Sequence, residues 1–237
     1  MAQLHQDDSG VPDPVADADI IHQQLQQIPQ IYYNYHSPRQ LANVVERIVD
    51  SYTPEESYLY FRGVSMGDTE ALDRALTRKQ VRNSVRMTFE EISNEMIVRL
   101  RPTREHNITG AELYLALRDR IELIPGHTRH SVVGLGSTRI SVLGQGSKEP
   151  DHAICPATRA RANTPWPSIV IEVGYSEKQS QLRLDAQWWL IHSANQTRFV
   201  VLLHMERNPN RLHIECWSMP PPRRTARHTP SLAPRCE

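Results

Sequence analysis

Apolar residues along this chain fall into two rhythms, and the order in which the rhythms alternate predicts an α/β core. From Ser37 onward, Leu41, Val44, Val45 and Ile48 share one helical face, with Ser37 placed to cap the helix and Pro38 at its first position. A second helical stripe of Leu72, Ala75 and Leu76 follows Asp68, and Thr88 with Glu91 has the spacing of a capping box for a short third helix. Together these predict a helical front piece over residues 31–86. The rhythm then shortens. "EMIVRL" reads as a strand, and Pro102-Thr103 opens a helix with Gly110, Leu113, Tyr114, Leu117 and Ile121 along one stripe. "SVVGLGSTRISVLGQG" reads as two short strands broken by Gly-Ser, "PSIVIEV" as a strand, and "SQLRLDAQWWLIHS" as a helix. "RFVVLLHM" is a buried strand, and "RLHIECW" a final one after the turn "NPN".

The two ends break both rhythms. Residues 1–30 carry Gln, Asp and Pro and are expected to be mostly disordered, with a short helix at "DIIHQQLQQI" as an option. Residues 220–237, "PPRRTARHTPSLAPRCE" and the proline before it, form a Pro- and Arg-rich tail that cannot build a core. A chain of 237 residues fits one domain with extensions, placed here at 87–219. Lys plus Arg and Asp plus Glu number 27 each, so no overall charge marks a protein that coats nucleic acid. Cys155, Cys216 and Cys236 lack the paired spacing of a disulfide framework or zinc site, and the acidic N-terminus lacks the apolar run of a secretory signal. The expectation is an intracellular protein, cytoplasmic or nuclear, without a membrane span.

One residue interrupts the apolar pattern where interruption is costly. In "PSIVIEVG" the carboxylate of Glu172 follows Ile169, Val170 and Ile171, and strand alternation puts it on one face with Val170 and Gly174. Buried alone it would cost several kcal/mol, roughly, so it requires a cation, a metal or a proton. Asp151 precedes a neighbouring strand; if the two strands pair, both acids converge. A divalent cation would then offset their repulsion, and one or two carboxylates completed by water and phosphate oxygens suit Mg2+. The alternative is a buried ion pair of Glu172 with an arginine such as Arg183 or Arg198.

"EPD" at 149–151 and "SIVIEVG" at 168–174 resemble the two halves of the PD-(D/E)XK nuclease signature, with Asp151 and Glu172 as its acids. The blocks "NEMIVRLRPTREHNITGAELYLAL", "GSKEPD", "PSIVIEVGYSE", "LDAQWWL" and "RFVVLLHM" are similar, in order, to restriction-endonuclease-like domains of fungal and bacterial proteins. That resemblance implies a central mixed sheet flanked by helices, Mg2+ or Mn2+ between the acids, phosphodiester hydrolysis of DNA or RNA, and dimerisation to cut two strands. In such a mechanism the metal lowers the pKa of an attacking water, and a lysine stabilises developing charge. The lysine position, two after Glu172, is Gly174. Under that resemblance Lys178 and Lys148 are the candidate substitutes, Glu112 (or Glu105) the candidate third acid from the preceding helix, and Arg159 and Arg161 would hold phosphates. Gln187 would orient water or ligand, Asp185 either supports the site or lies on the surface, and Trp188 and Trp189 are expected to pack. The alternative implied by Gly174 is a protein of this fold that no longer cuts and instead binds nucleic acid or another protein.

Overall fold

The computed structural model describes residues 32–51, 58–100, 104–161, 166–175, 179–206 and 211–219, with the side chains of 104–107 and 175 left aside. Strands β1 (Tyr32–Asn34), β2 (Tyr58–Arg62), β3 (Val85–Glu90), β4 (Glu95–Leu100), β6 (Ile140–Val142) and β7 (Gly146–Lys148) make a first sheet in the order β1-β2-β4-β3-β7-β6. Strands β5 (Val132–Gly134), β8 (His152–Pro156), β9 (Ile169–Tyr175), β10 (Phe199–Glu206) and β11 (Arg211–Trp217) make a second, β11-β10-β9-β8-β5. Both are mixed: β1 runs parallel to β2 and β9 parallel to β10, while the other pairs are antiparallel. Helices α1 (Pro38–Asp50), α2 (Thr69–Arg78), α3 (Arg104–Glu122) and α4 (Gln179–His192) complete an α/β protein.

Helix and sheet alternate as layers because each apolar face finds one partner. Ser37 accepts a hydrogen bond from the Gln40 amide at 3.2 Å and starts α1, whose Leu41, Val45 and Ile48 pack with Leu72 and Leu76 of α2 on the outer face of the first sheet. That outer face is built from alternate residues, Met87 and Phe89 of β3 and Met96 and Val98 of β4 among them. The intervening residues face inward, toward α4. Buried apolar residues of α4, with Leu182, Ala186, Trp189 and Leu190 among them, meet Tyr60 and Ile97 of the first sheet and Val170, Val200 and Leu202 of the second. A helix clad in apolar residues on opposite sides belongs between two sheets, and this one lies there. On the far face of the second sheet, Leu113, Tyr114 and Leu117 of α3 cover Ile154, Ile171, Val173 and Leu203.

Two sequence expectations are corrected here. Thr88 does not open a helix: Val85, Met87 and Phe89 point to one face and Arg86, Thr88 and Glu90 to the other, and this period of two forms β3 instead. Residues 31–86 are likewise not a purely helical piece, since β1, β2 and the start of β3 lie within them and belong to the first sheet. The strands expected at "EMIVRL", "PSIVIEV", "RFVVLLHM" and "RLHIECW" form as β4, β9, β10 and β11, whereas β7 (Gly146–Lys148) lies where only a Gly-Ser turn was expected. The N-terminal 31 residues and the tail beyond Met219 lie outside the described residues, so the expectations for them do too. No described helix is long and apolar enough to cross a membrane.

The turn into β7 rests on Gly146, whose φ of 143° is open to glycine alone and whose absent side chain would collide with the Phe89 carbonyl across the ladder. Gly146→Ala is therefore expected to lower stability by about 3 kcal/mol, the upper end of the cost of a strained backbone position. Urea unfolding monitored by circular dichroism reads this, and a loss below a few tenths of that value would show that the β6–β7 turn yields.

Candidate functional site

The pairing of β8 with β9 decides where the two sequence-predicted acids go. His152 stands opposite Ile171, so Asp151, one residue before β8, lies beside Glu172 and Val173. The Val173 amide donates to Asp151 Oδ2 at 2.7 Å, which fixes that carboxylate on the strand. Glu172 points inward with Val170 and Gly174, toward α4, and is wholly buried. His152 turns the other way, its ring edge-on to Tyr114 with centroids 4.9 Å apart, and burial pushes its pKa below the ordinary value.

What meets the acids is a set of cations from the inner face of the first sheet. Arg99 of β4 places Nη2 at 2.6 Å from Glu172 Oε2 and 3.2 Å from Asp151 Oδ2, and Nη1 at 2.8 Å from Asp185 Oδ2. Lys148, the last residue of β7, donates to the other Asp185 oxygen at 2.5 Å and to Thr88 Oγ1 at 3.1 Å. Arg86, the direct cross-strand neighbour of Arg99, donates to the Pro150 carbonyl at 3.1 Å and lies 3.6 Å from Asp151 Oδ1. The second Glu172 oxygen accepts from the Trp189 indole at 2.7 Å. Three cations thus face three carboxylates, and every one of these side chains is at most 10% exposed.

The short crossing from β7 to β8 carries a second ionic knot on its outer side. Glu149 accepts from Arg82 and Arg139, both at 2.7 Å, and from the Met87 amide at 3.2 Å; Asp73 of α2 joins the same two arginines at 2.6 and 3.1 Å. Lys148, Glu149 and Asp151 therefore come from one four-residue stretch, yet serve the first sheet, the outer knot and the second sheet in turn. This knot holds the crossing that presents Asp151.

The donor set does not suit a divalent cation. Mg2+ takes six oxygens at about 2.0–2.1 Å, whereas Glu172 is engaged by Arg99 and Trp189, and Asp151 by Arg99 and a backbone amide. The adjoining cavity, lined by Arg86, Thr88, Lys148, Gln181 and Asp185 among others, measures about 10 Å³, room for about one water. Among the described residues no group of three or more His, Cys, Asp or Glu side chains is arranged to hold a metal. Nor is there space at Gly174 for a lysine: a Cβ there would meet Leu182 Cδ1 at 2.6 Å, because α4 packs onto the strand at this point.

Of the other sequence candidates, Lys148 and Asp185 enter the cluster, and Glu112, Arg159, Arg161 and Gln187 do not. Glu112 is exposed on α3, which covers the opposite face of the second sheet from Glu172, so it is no third ligand. Arg159 is turned to its own loop, donating to the Trp166 carbonyl at 3.1 Å and to Ser168 Oγ at 2.5 Å rather than presenting itself to phosphate. Arg161 is exposed at the end of that turn. Gln187 is half-buried on α4, but Gln181, not Gln187, lines the cavity. Neither Arg183 nor Arg198 is the cation of Glu172; Arg183 pairs with Glu215 at 2.8 Å. Lys178 and the side chain of Glu105 lie outside the described residues. The sequence reading missed Arg86 and Arg99, and it took Trp189 for packing alone.

No family model matches the chain, and no curated protein matches it. Among solved structures, the crystal structure of SSO0001 is similar at 14% identity over 86% of this chain and 76% of that one, with a TM-score of 0.25.

Burial pushes Glu172 up to about 8, with the charges of Asp151 and Asp185 adding to the rise and Arg99 opposing it. Folding therefore takes up a proton between the unfolded value of 4.5 and about 8: the stabilisation is complete below the first and lost as pH rises through the second. Glu172→Gln is expected to flatten this part of the stability–pH curve and to be the more stable protein above pH 8, as read from thermal unfolding across pH. Arg99→Met should cost about 3–5 kcal/mol by leaving buried carboxylates without their cation. Most of that loss should return in the Arg99→Met/Glu172→Gln/Asp151→Asn triple variant; additive losses instead would mean that the groups do not interact.

Proposed function

We propose that this chain is a binding protein built on a nuclease-like α/β core, in which an internal arginine has taken the place of the catalytic cation. Two features support the nuclease-like reading of the core. A mixed sheet with helices on both faces carries Asp151 and Glu172 on adjoining segments, and a lysine, Lys148, stands in the same cluster. The observation that carries the non-catalytic reading is Arg99, whose Nη2 bridges the two acids at 2.6 and 3.2 Å. A guanidinium balances charge as a metal would, but it does not lower the pKa of a bound water to make a nucleophile. With Glu172 wholly buried and the neighbouring gap the size of one water, the described residues leave a phosphodiester no room beside the acids. Nucleic acid, DNA or RNA, is the ligand class that the resemblance implies.

The second reading, a Mg2+- or Mn2+-dependent nuclease, draws on Lys148, since a lysine beside two acids is the complement such hydrolysis uses. It requires Arg99 to leave both carboxylates. One experiment separates the two: incubation of the full chain and of Asp151→Ala with single- and double-stranded DNA and RNA in Mg2+ or Mn2+, together with melting temperatures in either metal and in chelator. The expected result is no cleavage by either protein and a melting temperature indifferent to metal. Cleavage by the parent that disappears in Asp151→Ala would overturn the binding reading and establish the nuclease.

A further inference from the structure

The outer helical layer holds a cleft that neither the acid cluster nor the fold accounts for. It lies between the start of α1 and the end of α2, measures about 240 Å³, and is lined by Arg39, Ala42, Ala75, Arg78 and Lys79. Helix geometry brings these residues together: Arg39 and Ala42 are three apart on α1, and Ala75, Arg78 and Lys79 fall within one turn at the end of α2. The two alanines leave a shallow floor where larger side chains would close the helix pair. Three cations stand around that floor.

Their charges are unequally compensated. Lys79 is paired with Glu46 at 2.7 Å, whereas Arg39 and Arg78 are exposed and have no ionic partner among the described residues. Among the described residues the cleft therefore presents two unpaired positive charges, both guanidinium forks, which favour planar or tetrahedral oxyanions through paired hydrogen bonds. The positive N-terminal end of α1 and the negative C-terminal end of α2 both border the cleft, so the helix dipoles offset and the arginines set its sign. The buried Arg86 and Arg99 and the half-buried Arg82 and Arg139 face carboxylates. The two at this cleft do not.

We propose that the α1–α2 cleft binds a terminal phosphate, the dianionic phosphomonoester of a nucleotide or of a nucleic-acid end. A phosphomonoester carries about −1.5 to −2 charges at neutral pH, which matches the two uncompensated arginines. A carboxylate or an internal phosphodiester brings a single charge. A volume of about 240 Å³ lies below that of drug-sized pockets and suits a small head group with its chain running out to solvent. The cleft lies on the outer face of the first sheet and the acid cluster on the inner face, so the two stand or fall separately. If it holds, the binding reading gains a ligand class.

The test is titration of the full chain with inorganic phosphate, adenosine monophosphate and adenosine, and with a short oligonucleotide carrying or lacking a 5′ phosphate, in parent and Arg39→Ala/Arg78→Ala protein. Both arginines are exposed, so the double variant should keep the parent's melting temperature and circular dichroism. The expected result is saturable binding of the phosphorylated probes, weakened at least about tenfold in the double variant and by added salt. Tighter binding of the phosphorylated oligonucleotide than of the mononucleotide assigns the source to a strand end, and the reverse order assigns it to a free nucleotide. Equal binding of adenosine, equal binding of the unphosphorylated oligonucleotide, undiminished binding by the double variant, or no saturable binding of any phosphorylated probe would each refute the proposal.

Discussion

The two sheets of this protein are joined through a buried exchange of charge, and the rest of the arrangement depends on it. Arg86 and Arg99 sit side by side on neighbouring strands, a pairing that is repulsive in isolation. They are tolerated because the second sheet and the helix between the sheets answer with Asp151, Glu172 and Asp185, and because Lys148 completes the balance. Buried ions are costly unless each finds a partner in good geometry, so the cluster restricts which placements of one sheet on the other are allowed. It also fixes register. A slip of one residue in β4 would turn Arg99 into the apolar layer under α1 and α2 and bring Val98 or Leu100 against three carboxylates.

The same arrangement constrains the chemistry. A metal ion and a guanidinium both relieve repulsion between carboxylates, but a metal leaves coordination positions for water and phosphate, whereas a guanidinium fills its surroundings with directed hydrogen bonds. Each Arg99 contact with an acid occupies a lone pair that an incoming cation would need. The protein has moreover closed the neighbouring positions. Leu182 occupies the space above Gly174, and Trp189 takes the remaining Glu172 oxygen. Charge balance of the kind a metal centre requires is thus reached without a Lewis acid.

Much of this was legible in the sequence, and the failures have a common physical source. Alternation in "PSIVIEVG" correctly turned Glu172 to the face of Val170 and Gly174, and Ser37-Pro38 correctly began α1. Thr88 misled because a four-residue capping spacing also runs from a strand into the turn after it, and the longer alternation of Val85, Met87 and Phe89 outweighs it. Arg99 was overlooked although it breaks an apolar run in "EMIVRL" just as Glu172 breaks one in "SIVIEV". Two lone charges in buried strands are each other's natural partners, but they are 73 residues apart and belong to different sheets. Glu112 and Arg159 failed for a related reason: helical or loop position says nothing of which sheet face a segment covers, or which carbonyls lie within its reach.

Overall neutrality, with 27 cationic and 27 anionic side chains, says little about what such a protein presents to its surroundings. The inner cluster and the outer knot around Glu149 match acids with cations inside the molecule, and those charges cancel where they stand. What acts on a ligand is the residue left over, and its sign varies with place. On the paired helices of the outer layer, Glu46 is used by Lys79, and Arg39 and Arg78 are left facing a cleft floored by alanine. Long-range attraction to polyanions is weak for a neutral chain, so recognition there must come from short-range hydrogen bonds to a compact, doubly charged group. A site of that kind is invisible to net charge because it depends on local imbalance within a balanced whole.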